Sequence, residues 1–169
     1  LLFARQVVLS SGGWDETLEA FQDVDFKLRC LLNGAAWVRV NHIGFYYRLY
    51  GSASVSKRTS LDAFSSQLRV LSKVEGMMQE RGILANYRFV LAKSYNALAK
   101  RAVPHAPAVS ADAFQCAQQL AGTRVLDHEG TRIHRLLSAV IGAERKEQLA
   151  SFLARHGIGR STRKAYLDL

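Results

Sequence analysis

The sequence predicts an α/β segment at the N-terminal end, followed by a longer helical region, so that the chain is mostly α overall. Two observations predict this fold. In residues 37–41 and 45–50 apolar and polar side chains alternate, as in strands with one buried face. From residue 61 onward apolar residues recur every three or four positions, the spacing of amphipathic helices. We expect the first part to span residues 1–58 and the helical region residues 59–169, joined by a serine-rich loop.

The elements of the first part follow from local patterns. A helix is expected to begin at Asp23, because Val24, Leu28 and Leu31 share one face, and to stop at Gly34. The two alternating stretches, 37–41 and 45–50, are expected to form two short strands after it.

The helical region is expected to contain five helices. The first runs from Leu61 to the turn at Gly82, and the second covers residues 87–102 and ends before Pro104. Ser110 is expected to cap the third. The fourth lies within residues 133–141, and the fifth surrounds Phe152 and ends before Gly157. These lengths fit a small bundle or an array of antiparallel helix pairs.

Composition is that of a soluble globular protein, with 49% apolar and 22% charged residues. No run of 18 or more apolar residues is present, so no membrane span is expected. Cys30 and Cys116 are far apart and suit free thiols in the cytoplasm. Because the chain starts at Leu1 and enters directly into a motif, we interpret it as a fragment of a longer protein.

The formal net charge is +9, and it is spread along the chain. Simple solubility explains it, and so does contact with an anionic membrane surface or a diphosphate-bearing acceptor. Nucleic acid is not an expected partner, because no basic stripe with interleaved aromatic residues is present.

The most informative segment, residues 12–29, joins a glycine turn and an aromatic side chain to a dense acidic cluster at the start of a helix. The turn is Gly12-Gly13-Trp14, and the acids lie at Asp15, Glu16, Glu19, Asp23 and Asp25. Lys27 is the first basic residue after the cluster. Several carboxylates at a loop-to-helix junction are one way to make a general base.

This segment resembles the acceptor-side motif of inverting family-2 glycosyltransferases, which is Gly-Gly-Phe/Trp-Asp-Glu, a spacer, and Glu-Asp-x-Asp with a following Leu-Arg. A second stretch, residues 45–56, resembles the family's Tyr-Tyr-Arg-x-His-x-x-Ser-x-Ser segment. The resemblance covers residues 1–58, and it implies the acceptor half of a Rossmann-like GT-A domain. The implied activity is transfer of a sugar from a nucleotide-sugar donor to a hydroxyl of a glycan, lipid carrier or polysaccharide, as in cell-envelope polysaccharide biosynthesis.

The resemblance assigns roles to individual residues. Asp23 occupies the position of the catalytic base, with a helix N-cap as the alternative role. Substrate contacts are implied for Gly13, Trp14, Asp15, Glu16, Gln22 and Arg48. The alternatives are core packing for Trp14, capping of a short helix for Asp15 and Glu16, and an ion pair with an acid for Arg48. From the residues themselves, Asp25 is expected to form an ion pair with Arg29 or Arg48.

Two positions depart from the family pattern. Gln22 stands where the family has Glu, and Tyr50 replaces the usual cation-holding His, so no metal ligand is assigned in this chain. A divalent cation, Mg²⁺ or Mn²⁺, is expected to bind through the missing N-terminal half, which also binds the donor. The fragment alone is therefore expected to be inactive. The protein is expected in the cytoplasm, or at the cytoplasmic face of the membrane. The alternative is a non-catalytic helical interaction module that keeps only a degenerate glycosyltransferase scaffold.

Overall fold

A computed structural model of the protein describes residues 2–38, 41, 46, 59–122 and 142–155. Within these ranges the regular structure is helical. The helices are α1 (Arg5–Ser10), α2 (Gln22–Leu32), α3 (Leu61–Glu80), α4 (Leu84–Ala102), α5 (Pro107–Ala121) and α6 (Ala143–Arg155).

The α/β prediction for the first part is wrong in the residues that the structure describes. Trp37 and Val38, at the start of the first predicted strand, lie in irregular chain after α2, and no strand occurs in the described ranges. A strand requires a second strand to pair with its backbone groups, and alternation of side chains does not supply one. No Rossmann-like sheet is therefore seen in the described part; apart from Asn41 and Tyr46, the remainder of both predicted strands lies outside it.

The two long helices α3 and α4 follow the predicted apolar spacing. Ser60 is the N-cap of α3, and its Oγ accepts a hydrogen bond from the backbone N–H of Ala63 at 3.1 Å. The helix ends at Glu80 with Arg81 as its C-cap, and Gly82 follows with a φ of +66° that glycine adopts without strain. The helix α4 then runs to Ala102, close to the predicted end.

The main hydrophobic core lies between α3, α4 and α5. Small residues make close packing possible, since five alanines of α4 and α5 have no exposed surface: Ala92, Ala99, Ala102, Ala113 and Ala117. Phe64 from α3 and Phe114 from α5 fill the remaining space. This arrangement is a packed group of helices, as the bundle prediction requires.

The third predicted helix begins earlier than expected. Its first residue is Pro107, whose missing N–H would be unsatisfied there in any case. Ser110 is not the cap: it lies inside α5, buried, and its Oγ donates a hydrogen bond to the carbonyl of Ala99 at 3.0 Å. A serine that bonds across to a neighbouring helix is therefore easily mistaken for a cap in the sequence.

A second, smaller apolar cluster joins the segment before α2 to α3. Leu18 packs against Val70 and Val74, with Phe21 and Leu28 partly buried at its edge. The helix α3 therefore contacts α4 and α5 through Phe64 and the acidic segment through Val70 and Val74. The division of the chain into parts 1–58 and 59–169 stays a prediction, but α3 packs against residues of both parts.

None of the helices in the described ranges is both long enough and apolar enough to cross a lipid bilayer. The fourth predicted helix lies in residues that the structure does not describe. The fifth corresponds to α6, on which Leu149 and Phe152 are about half exposed.

Candidate functional site

The glycine turn directly follows α1. Gly12 and Gly13 have φ values of +74° and +66°, in the left-handed region that favours glycine. Their backbone N–H groups donate to the carbonyls of Leu9 and Val8, at 3.2 and 3.1 Å. The turn thus closes α1 and delivers Trp14 to the surface.

Trp14 is not a core residue. Its side chain is 54% exposed, and the ring centroid lies 5.5 Å from that of Phe26, which is buried. One part of the indole therefore packs on the protein while the rest stays available to a ligand. Trp14 is therefore not buried in the core, and its binding role stays a prediction.

Asp15 is engaged within the protein. Its Oδ1 accepts hydrogen bonds from the N–H and the Oγ1 of Thr17, at 3.1 and 2.6 Å. Its Oδ2 lies 2.6 Å from Nζ of Lys73 on α3. The hydrogen bonds from Lys73 and Thr17 hold the pKa of Asp15 well below its usual value of 3.8. Asp15 is thus a fixed carboxylate that orders the turn, while its neighbour Glu16 is exposed.

The start of α2 is conformationally unusual. Phe21, the N-cap residue, has a φ of +67° and gives no side-chain hydrogen bond to the first turn. A bulky residue in this region is strained, and such strain persists only where surrounding contacts impose it. Here Gln22 contributes one such contact, since its Nε2 donates to the carbonyl of Leu18 at 2.7 Å. Asp23 lies inside the helix, so the N-cap interpretation of Asp23 is wrong.

Asp23 and Asp25 occupy opposite environments although only one residue separates them. Side chains at positions i and i+2 of an α-helix point about 200° apart, which places them on nearly opposite faces. The side chain of Asp23 is 59% exposed, and its Oδ2 lies 2.6 Å from Nζ of Lys27. Asp25 has no exposed surface at all. Asp23 is therefore reachable by a ligand, and Asp25 is not.

Asp25 is the centre of a buried ion-pair network. Nε and Nη2 of Arg29 lie 2.9 and 2.7 Å from its Oδ2, which confirms one of the two predicted partners. Nζ of Lys73 lies 2.9 Å from Oδ1 of Asp25. The two atoms form an ion pair, but their geometry is not that of a hydrogen bond. Arg29 also donates to the carbonyl of Gly13 at 2.8 Å and to the carbonyl of Ser11. The network thereby attaches the glycine turn to α2.

Burial and neighbouring charges act in opposite directions on the pKa of Lys73. Burial works to lower its pKa, but the contacts with Asp15 and Asp25 outweigh it and raise the pKa above its usual value of 10.5. The lysine is thus fully charged at neutral pH and bridges the two carboxylates.

Sequence reasoning missed both cations that α3 contributes. Lys73 lies 58 positions from Asp15, and Arg69, whose Nη2 donates to Oγ1 of Thr17 at 2.8 Å, lies 52 positions from Thr17. No local motif carries a contact of that range. The only usable signal was the excess of acids in residues 15–25, which must be neutralised from elsewhere in the chain.

The structure attaches the segment before α2 to residues 25–29 of that helix: Gly13 bonds to Arg29, Trp14 packs on Phe26, and Lys73 joins Asp15 to Asp25. Gln22 and Asp23 lie in the first turn of α2, where the side chain of Asp23 contacts Lys27. Arg48 and Tyr50 lie outside the described residues, as does His42. Across the described ranges, no group of three or more His, Cys, Asp or Glu side chains is placed to hold a metal ion.

Comparison with known proteins gives no match: no protein-family model, no curated protein and no solved structure corresponds to the chain.

Proposed function

We propose that this chain contributes the acceptor side of an inverting glycosyltransferase, with Asp23 as the general base. The enzyme would transfer a sugar from a nucleotide-sugar donor to a hydroxyl group of a glycan or lipid-linked acceptor. One observation carries the proposal: of the two acids in Asp23-Val24-Asp25, one is buried in ion pairs and the other is exposed in the first turn of α2. That division leaves Asp23 free for chemistry.

The chemistry needs only one carboxylate. In a single displacement, the acceptor oxygen attacks the anomeric carbon while a base removes its proton and the nucleotide departs from the opposite face. No covalent intermediate forms, so no second carboxylate at the reacting carbon is required. Asp23 supplies an acceptor for that proton at the start of α2.

Lys27 does not block this role. Its ion pair with Asp23 joins positions i and i+4 on an exposed helix surface, with side chains 31% and 59% exposed. Such pairs contribute roughly 0.3–0.5 kcal/mol to helix stability. A bound acceptor hydroxyl can therefore displace the ammonium group at small cost.

The acceptor would also contact exposed side chains of the segment that precedes α2. Trp14 offers an indole face on which a sugar ring can stack, and Glu16 offers carboxylate oxygens to hydroxyl groups. Asp15 acts differently from the role that the resemblance assigns, because Thr17 and Lys73 already occupy its oxygens. We therefore assign it to the support of Trp14 and not to direct contact.

The resemblance implies that the donor and the cation bind to a separate, donor-binding half of the catalytic domain. An Asp-x-Asp motif there would hold Mg²⁺ or Mn²⁺ on the donor diphosphate. The enzyme would work in the cytoplasm or at the inner face of the membrane, where the charge of +9 favours anionic lipid or a diphosphate-linked acceptor.

The test is sugar transfer by the polypeptide as it is encoded, including any sequence before Leu1, with a panel of nucleotide sugars and lipid-linked or free glycans. Asp23→Asn keeps the size of the side chain and removes the base. We expect kcat to fall by about a hundredfold or more, the usual contribution of a general base. Asp62→Asn is the matched control, because Asp62 is also an exposed acid in the first turn of a helix. Near-normal turnover of a folded Asp23→Asn enzyme would exclude Asp23 as the base.

The second candidate is a non-catalytic helical interaction module. Tyr87 and Val90 favour it, since both are large, about half or more exposed, and lie three positions apart on α4. Gln22, in place of the family's Glu, agrees with a site that has lost its activity. Absence of transfer and of donor hydrolysis by the encoded polypeptide, with every nucleotide sugar tested, would favour this candidate.

A further inference from the structure

Lys73, on α3, contacts two carboxylates of the segment that contains the proposed site. Its Nζ lies 2.6 Å from Oδ2 of Asp15 and 2.9 Å from Oδ1 of Asp25. We infer that Lys73 is a positioning residue for acceptor binding, which acts through these two carboxylates and without contact to the reacting atoms. This inference rests on the proposed function and assigns to α3 a part in it.

The two contacts of Lys73 lie on opposite sides of the acidic segment. Asp15 follows Trp14 directly, and Asp25 lies two residues after Asp23. The ammonium group of Lys73 thus links the residue that follows Trp14 to α2. A change at Lys73 would shift Trp14 relative to Asp23 while leaving both side chains chemically intact.

Arg29 extends the effect of Lys73 to the glycine turn. It binds Asp25 through two nitrogens and then reaches the backbone carbonyls of Ser11 and Gly13. The turn is therefore held at Asp15 by Lys73 and at Gly13 by Arg29, and both cations meet at Asp25. Because Asp25 is fully buried, its orientation depends on these partners and not on water.

Arg69 gives the same segment a third attachment. It lies four positions before Lys73, on the same face of α3, and its Nη2 donates to Oγ1 of Thr17 at 2.8 Å. One helical face therefore presents two cations to a segment that carries five acids between residues 15 and 25. Without them these acids would repel one another, and the turn would lose its single arrangement.

A positioning role has a kinetic consequence that a purely stabilising role lacks. Loss of stability lowers the active fraction, which reduces the apparent kcat and leaves KM unchanged. Displacement of Trp14 weakens acceptor binding, which raises the KM for the acceptor and spares the KM for the donor. The two roles are therefore separable in the same assay.

The experiment measures kcat and both KM values for Lys73→Met, Lys73→Arg and Asp23→Asn in the encoded polypeptide, with the folded fraction of each determined by circular dichroism. We expect Lys73→Met to raise the acceptor KM about tenfold or more at unchanged donor KM. Lys73→Arg keeps the charge and is expected to recover most of that loss. Lys93→Met is the control, because Lys93 lies on α4 with its Nζ 4.9 Å above the ring of Phe89, in no contact with Asp15 or Asp25.

The outcomes separate a failure of the positioning role of Lys73 from a failure of the proposed glycosyltransferase function. An unchanged acceptor KM in a folded Lys73→Met enzyme overturns the positioning role and leaves the proposed function intact. If Lys73→Met does not fold, Asp15→Ala decides, because it removes the Lys73–Asp15 ion pair: a raised acceptor KM at unchanged donor KM supports the inference, and a kcat loss alone opposes it. Turnover that survives Asp23→Asn, or a complete lack of turnover in the unmodified protein, is instead a failure of the proposed function.

Discussion

Replacing Asp25 with Asn tests the part of the structure on which the site depends most. Asp25 has no exposed surface, and three nitrogens of Arg29 and Lys73 lie between 2.7 and 2.9 Å from its oxygens. Asparagine keeps the shape of the side chain and removes its charge. Arg29, whose side chain is only 12% exposed, is then left without a counter-charge.

The expected loss follows from the burial of each partner. Removing one member of a buried ion pair costs about 3–5 kcal/mol, because the other charge stays desolvated. Arg29 keeps its hydrogen bonds to the carbonyls of Ser11 and Gly13, and Lys73 keeps Asp15, so the loss falls toward the lower end of that range. We expect Asp25→Asn to lower the free energy of unfolding by about 3 kcal/mol.

The assay is urea unfolding followed by circular dichroism, with Asp23→Asn as the matched control. The control makes the same chemical change two positions earlier on the same helix, where the side chain is 59% exposed. It removes one surface ion pair and is expected to cost about 0.5 kcal/mol or less. A loss below about 1 kcal/mol for Asp25→Asn, or equal losses for the two variants, would refute the buried network as we describe it.

Two further predictions concern pH and backbone strain. The folded pKa of Lys73 is raised above 10.5 and that of Asp15 lowered below 3.8, so the stability difference between the original protein and Lys73→Met is expected to stay constant across neutral pH. It is expected to shrink as the pH falls below 3.8 or rises above 10.5, and a difference that changes near pH 7 in unfolding measurements would contradict this. Phe21 has a φ of +67°, so Phe21→Gly, which relieves the strain, is expected to be about 1 kcal/mol more stable than Phe21→Ala, which keeps it. Equal or reversed stabilities in urea would show that Phe21 is unstrained.

The sequence by itself determined the long helices and the local chemistry of the acidic segment. The three-to-four spacing from Leu61 and the turn at Gly82 predicted α3, because an amphipathic face and a helix stop are local properties. Asp25 and Arg29 could be paired for the same reason, since positions i and i+4 are neighbours on any helix. The interpretation of Asp23 as a base stays a prediction of the resemblance.

Only the tertiary structure decided which acid is buried, which cations neutralise it, and that Trp37 and Val38 do not form a strand. Alternation at Trp37 and Val38 resembled a strand, but pairing depends on a distant partner that the described residues do not provide. Ser110 resembled a cap until the structure placed it against Ala99. Lys73 reaches Asp15 across 58 positions, and such a contact exists because Leu18, Val70 and Val74 pack α3 against the acidic segment. Long-range packing brings these charges together, and no local pattern records it.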